Sequence, residues 1–153
     1  METKIYAAYG SNMNLKQMKK RCPKAKVIGK GELHGYQLTF RGKQAGVANV
    51  ERWGQGLVPV VLWEITEECE RELDRYEGYP RLYGKEIVTI NTTAGEQVAM
   101  LYVMAKQYEA MPSLPSQYYF EVIRQGYQDN RIDIAPLMEA LTKAQAQQPD
   151  NEG

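Results

Sequence analysis

Two cysteines, one histidine and two phenylalanines are all that the 153 residues hold of these types, and each shortage closes off a chemistry. Cys22 and Cys69 are too few for a disulfide framework and stand at no metal-type spacing. With His34 as the only histidine, a histidine–cysteine zinc site is excluded, and a Ser11-based hydrolase would have a single candidate base. No Gly-x-Ser-x-Gly elbow occurs, and Gly29-x-Gly31-x-x-x-Gly35 lacks the spacing and the following helix of a phosphate-binding loop. No apolar run approaches the roughly 18 residues of a membrane helix, and no secretory signal is visible. Neither charge dominates: Lys+Arg and Asp+Glu both number 19, with no basic stripe for nucleic acid. These shortages predict a soluble cytoplasmic protein whose partners are neither nucleic acid nor membrane.

Tyrosine is what the chain has in excess, 11 residues against the two phenylalanines. A buried tyrosine brings apolar bulk and a hydroxyl that seeks a partner, so a cleft built from such residues has polar handles for a polar ligand. The length suits one domain, read as residues 1–144 followed by a polar, frayed tail over 145–153. A strand is expected over 3–9 and an amphipathic helix over 14–21, where Leu15, Met18 and Cys22 recur at spacings of three and four. Residues 25–41 read as one long strand or two joined near Gly35. A short strand over 46–51, a turn at Gln55-Gly56 and a strong β run over 57–65 follow, with Pro59 placing its end at an edge or bulge. Thr66 caps a helix over 67–76, with Cys69, Leu73 and Tyr76 on its buried face and Gly78 and Pro80 stopping it. Strands at 83–91 and 97–104 form a hairpin. Ser116 caps a helix over about 117–127, and Asp133 starts one containing Leu137, Met138 and Leu141. Strands in a run, with helices inserted and then gathered at the end, indicate α+β.

Two places carry chemistry. Tyr9-Gly10-Ser11-Asn12 lies where a strand gives way to a helix: Gly10 allows positive φ, Asn12 or Asn14 can cap, and backbone amides at such a junction can face an anion. Glu77 ends the 67–76 helix, where the macrodipole prefers cations, and aromatic residues flank it. Partial burial there would raise its pKa toward neutrality and suit it to proton exchange.

Tyr9-Gly10-Ser11-Asn12 after the first strand, Asp74-x-x-Glu77-Gly78, Tyr83, and Pro115-Ser116-x-x-Tyr119 ahead of Ile123 and Gly126-Tyr127 occur in an order that resembles the γ-glutamylcyclotransferase-like family over residues 4–141. The resemblance implies a mixed, strongly curved sheet or small β-barrel with about four packed helices. It also implies that the loop of Tyr9, Gly10, Ser11 and Asn12 holds the γ-glutamyl group of a small-molecule substrate, that Tyr83 and Tyr119 line the pocket, and that Glu77 is the general acid/base. The γ-glutamyl group would close to 5-oxoproline and release an amine or amino acid, with no metal or organic cofactor. Pro59 departs from a glycine common in relatives and is expected to alter one wall of the cleft, whose outer part involves Tyr79, Arg81 or Tyr108. Left open are a non-catalytic carboxylate-binding or interaction module, an amidohydrolase in which Glu77 activates water, and the choice between monomer and homodimer.

Overall fold

The polypeptide begins with a strand whose second half is apolar, and in the computed structural model, which describes residues 2–109 and 111–148, that half is buried. This strand, β1 (Thr3–Ala8), inserts Tyr6, Ala7 and Ala8 into the core. A single 3-10 turn (Ser11–Met13) leads to α1 (Leu15–Arg21), and of the two candidate caps it is Asn14 whose side chain accepts from the Gln17 N–H. There follow β2 (Lys26–Arg41), β3 (Val47–Thr66), α2 (Glu67–Glu77), β4 (Tyr83–Thr92) and β5 (Gly95–Met104). Three helices complete the chain: α3 (Lys106–Glu109), α4 (Gln117–Asp129) and α5 (Ala135–Ala146).

The strands close into a barrel in the order β1-β3-β2-β4-β5. The β1–β5 pair is parallel and the others are antiparallel, so the architecture is the expected α+β barrel, with five helices, one of them a single short turn, among the described residues. The barrel closes through two narrow seams, Tyr6 with Met100 and Glu32 with Asn91, whereas β2 and β3 pair along almost their whole length.

One local expectation is corrected. The strands over 46–51 and 57–65 are one continuous β3, and Gln55-Gly56 is not a hairpin turn. Instead Tyr36 pairs with Arg52 and His34 with Leu57, so residues 53–56 bulge out opposite Gly35. The close approach explains the glycine, since a Cβ at Gly56 would overlap the Tyr36 carbonyl. Helix α5 starts at Ala135, preceded by Asp133, whose side chain accepts from the Ala135 N–H. Its inner face is Leu137, Ala140 and Ala144, with Met138 turned outward. The helix runs through Ala146, two residues into the stretch expected as tail, and residues 149–153 lie outside the described residues.

Pro59 sits opposite Glu32 just beyond Val61, where the β1 ladder ends, so the missing donor falls where β3 has lost its β1 neighbour. Cys22 and Cys69 are free and buried, the Cys22 thiol donating to the Cys69 carbonyl at 3.5 Å. No helix among the described residues is long and apolar enough to cross a membrane.

Candidate active site

Helix α2 is fixed at both ends. Thr66 caps it by accepting from the Cys69 N–H, and Glu67, Glu68 and Glu70 complement the dipole in the first turn. At its C-terminus Gly78 takes a left-handed conformation (φ 68°), and the N–H groups of Gly78 and Tyr79 return to the carbonyls of Arg75 and Asp74. Asp74 accepts from the Tyr102 hydroxyl at 2.6 Å and pairs with Lys85 at 2.9 Å, tying the helix to β5 and β4. One turn after this anchor comes Glu77.

Glu77 opens into a cavity of about 250 Å³ at the end of the barrel where β1 finishes and β4 begins. Burial raises its carboxyl from the ordinary range to about 7, and the positive charge of Arg21 acts in the opposite sense. A carboxyl in that range is neither fixed acid nor fixed base at neutral pH, as proton transfer in both directions requires.

The walls are mainly phenolic. Tyr9 donates to the Tyr102 carbonyl at 2.6 Å, and Tyr83 donates to the Ala48 carbonyl at 2.5 Å. The Tyr119 hydroxyl accepts from the Ala48 N–H at 2.9 Å, so both polar groups of the Ala48 backbone are held by cavity tyrosines. Tyr6 accepts from the Asn12 amide at 3.0 Å. Burial pushes Tyr6, Tyr9, Tyr83, Tyr102 and Tyr119 above the ordinary phenol range, so all five stay neutral hydrogen-bonding groups near neutral pH.

The 3-10 turn lines the same cavity as Glu77. Its backbone bonds run from Met13 to Gly10 and from Asn14 to Ser11, and among the described residues the N–H groups of Ser11 and Asn12 have no acceptor. The Ser11 hydroxyl meets that of Tyr76 at 2.9 Å. The Asn12 side chain donates to Tyr6 and accepts from Arg21 at 2.6 Å, while the Asn12 backbone carbonyl accepts from the Trp63 indole at 3.0 Å. Gly10 corrects the expectation of a positive φ, for its φ is −125°. Space, not handedness, demands glycine: a Cβ would lie 3.1 Å from that of Ala48 and 3.6 Å from the Tyr119 hydroxyl, crowding the cavity wall.

Glu77, Tyr9, Gly10, Ser11, Asn12, Tyr83 and Tyr119 thus line one cavity. Sequence reasoning missed Tyr6, Ala48 and Tyr102, and it put Tyr76 on the buried helix face although Tyr76 is 44% exposed and lines the cleft. The signal available for Tyr76 was its place beside Glu77 at the end of the helix, where a side chain can reach past the core. Tyr79, Arg81 and Tyr108 do not line the cavity; Tyr79 stacks beneath Lys85 at 4.2 Å instead. Pro59 lines a different cavity of about 480 Å³ together with Leu57 and Arg131, so the expected change in the cleft wall is not found. His34 lies 3.5 Å from Glu32 on the exposed side of β2, and Ser11 has Tyr76 rather than a histidine as its partner. Among the described residues no cluster of three or more His, Cys, Asp and Glu side chains is arranged to hold a metal ion.

A closed five-stranded barrel with helices packed around it and a tyrosine-lined cavity at one end defines the fold class of the protein. Residues 6–121 match the family described as gamma-glutamyl cyclotransferase, AIG2-like, and the chain belongs to that enzyme family. It is 26% identical to the gamma-glutamylcyclotransferase of Bos taurus over 144 residues, covering 87% of this chain and 74% of that protein. The corresponding protein of Mus musculus is 27% identical over 142 residues, covering 86% and 73%. A solved structure of a gamma-glutamyl cyclotransferase superposes with a TM-score of 0.77 at 26% identity, covering 99% of this chain and 92% of its own.

Proposed function

We propose that the protein cyclises the γ-glutamyl group of a small γ-glutamyl amide to 5-oxoproline and releases an amine or amino acid. The observation that carries this reading is that Glu77, a carboxyl raised to about 7, lines one small cavity together with the turn of Gly10, Ser11 and Asn12. The turn would hold the α-carboxylate on its free N–H groups, with Tyr83 and Tyr119 bounding the reacting carbon chain.

The α-amine enters as an ammonium and must lose a proton before it can attack the γ-carbonyl. Glu77, as carboxylate, takes that proton. Attack forms the ring C–N bond and a tetrahedral centre, and the centre collapses by breaking the bond to the departing nitrogen. In becoming a lactam nitrogen the amine sheds two protons, and a leaving group released as an ammonium gains two, so Glu77 can shuttle both with no net change. Positioned acid–base help of this kind is worth about 10²–10⁴ in rate. Holding the amine against its own carbonyl adds several kcal/mol, within a ceiling of roughly 7–11.

The test is a panel of γ-glutamyl amino acids and γ-glutamyl amines incubated with the purified protein. Formation of 5-oxoproline is the expected result. Free glutamate as the main product would assign Glu77 to activating water, and a broad panel with no product would leave a ligand-binding module.

A further inference from the structure

We infer that Arg21 is a positioning residue of this site, a guanidinium that locks the substrate-facing turn to the helix end bearing Glu77. Arg21 does not line the cavity. It sits behind it, at the last position of α1, and reaches both walls. One arm, Nη1, donates to the Asn12 Oδ1 at 2.6 Å, and the other, Nη2, donates to the Gln17 Oε1 at 2.9 Å. The plane lies over the Tyr76 ring with Cζ 3.6 Å from its centroid. Tyr76 in turn meets Ser11 through paired hydroxyls at 2.9 Å. Because Ser11 and Asn12 are neighbours in the chain, and Tyr76 and Glu77 are too, these contacts form a closed circuit around the rear of the cleft. A lysine would supply the charge but not the fork and the flat stacking face together.

The helix dipole does not explain this arrangement, since Lys19 and Lys20 already supply cations to the last turn of α1. The guanidinium is instead turned back onto the 3-10 turn and across to α2. Its charge also matters to Glu77. The groups that face Glu77 from the surrounding elements are Tyr6 of β1, Tyr9 just beyond its end, Tyr83 of β4, Tyr102 of β5 and Tyr119 of α4, with Tyr76 beside it on α2. The five from other elements are held neutral by burial, which leaves Arg21 as the cation acting on the carboxyl. Its loss would therefore remove two separable things, the geometry of the turn and the counter-charge behind the acid.

Two variants separate them. Arg21→Lys keeps the charge and loses the fork, so KM should rise about tenfold while kcat stays within about threefold. Arg21→Met loses both. KM should rise as in the lysine variant, and the acid limb of kcat/KM should move to higher pH by about half a unit or more, because a cation no longer favours the carboxylate. The inference rests on the role proposed for Glu77, so the deciding measurement is independent of turnover. Carboxyl-carbon NMR of the substrate-free protein should place the Glu77 midpoint higher in Arg21→Met than in wild type, and near wild type in Arg21→Lys. A substrate panel without product would overturn the cyclase reading and leave this titration intact. An unmoved Glu77 midpoint in Arg21→Met, or wild-type KM in both variants, would make Arg21 merely a packing residue of α1. If Arg21→Met does not fold, the same judgement falls on Arg21→Lys, whose unchanged KM would overturn the inference.

Discussion

At the scale of single residues the protein places an acid where a helix end would prefer a cation, then half-buries it. The linkage runs in one direction. A carboxyl raised from 4.5 to about 7 makes the folded state bind a proton more tightly than the unfolded one, so stability falls as pH rises through that window and levels off above it. Glu77→Gln should therefore unfold less readily than wild type at pH 8, by about 1–3 kcal/mol once water in the cavity is allowed for, and the advantage should fade as pH falls from about 7 to 4.5. Thermal melts of both proteins across that range check the sign. The same variant should lose about 10²–10⁴ in kcat, read by 5-oxoproline release. Gly10→Ala should separate function from stability the other way, raising KM about tenfold or more with a small change in melting temperature, since its Cβ enters the space between Ala48 and Tyr119. Glu77 was legible only through the order of its neighbours in the chain, because burial by residues from four strands and helices leaves no mark in the local sequence. Tyr76 was misread because its spacing from Cys69 and Leu73 is that of a core residue, although at the end of a helix the same spacing delivers a side chain to the adjoining cleft.

Among the elements, α2 was the most readable, and it carries Glu77 into the cavity. Its cap at Thr66 and its stop at Gly78 are written in local chemistry, and both are where the sequence put them. Gly78→Ala forces a Cβ onto a residue at φ 68° and should cost roughly 1 kcal/mol. It should also lower kcat disproportionately, by disturbing the turn that immediately follows Glu77. Thr66→Ala, at the far end of the same helix, should cost a similar amount of stability, about 1 kcal/mol, with kcat nearly unchanged. Urea denaturation alongside steady-state kinetics distinguishes the pair. The β2–β3 hairpin was harder to read. Gln55-Gly56 has the composition of a turn, and only the register with His34 and Tyr36 shows the chain bulging and resuming the same strand. Helix α5 was legible as an element from Leu137, Met138 and Leu141, but its inner face is completed by Ala140 and Ala144, small residues whose burial is set by close approach to the barrel rather than by local hydrophobicity.

The molecule as a whole is a barrel closed by single residue pairs. Gly31 lies beside one of these seams, where a Cβ would meet the Ile90 side chain at 2.5 Å and the Asn91 carbonyl at 2.8 Å. Gly31→Ala should push β2 and β4 apart and destabilise the fold by about 1–3 kcal/mol. Tyr83, which lines the cavity, and Asn91 stand eight positions apart on β4, about 26 Å along a strand, so kcat/KM below the melting range should stay within about twofold of wild type. The α+β class was legible from the order of elements, but closure was not, since a seam of one pair has no sequence signature of its own. The phenolic lining of the cleft bears on how a substrate arrives. A net charge of zero and a cavity walled mainly by neutral hydroxyls, with Glu77 offset by Arg21 behind it, give little long-range attraction, so encounter depends on diffusion and on short-range fit after contact. The rate of capture should accordingly be almost indifferent to added salt, with discrimination between substrates residing in how long each stays rather than in how often it collides.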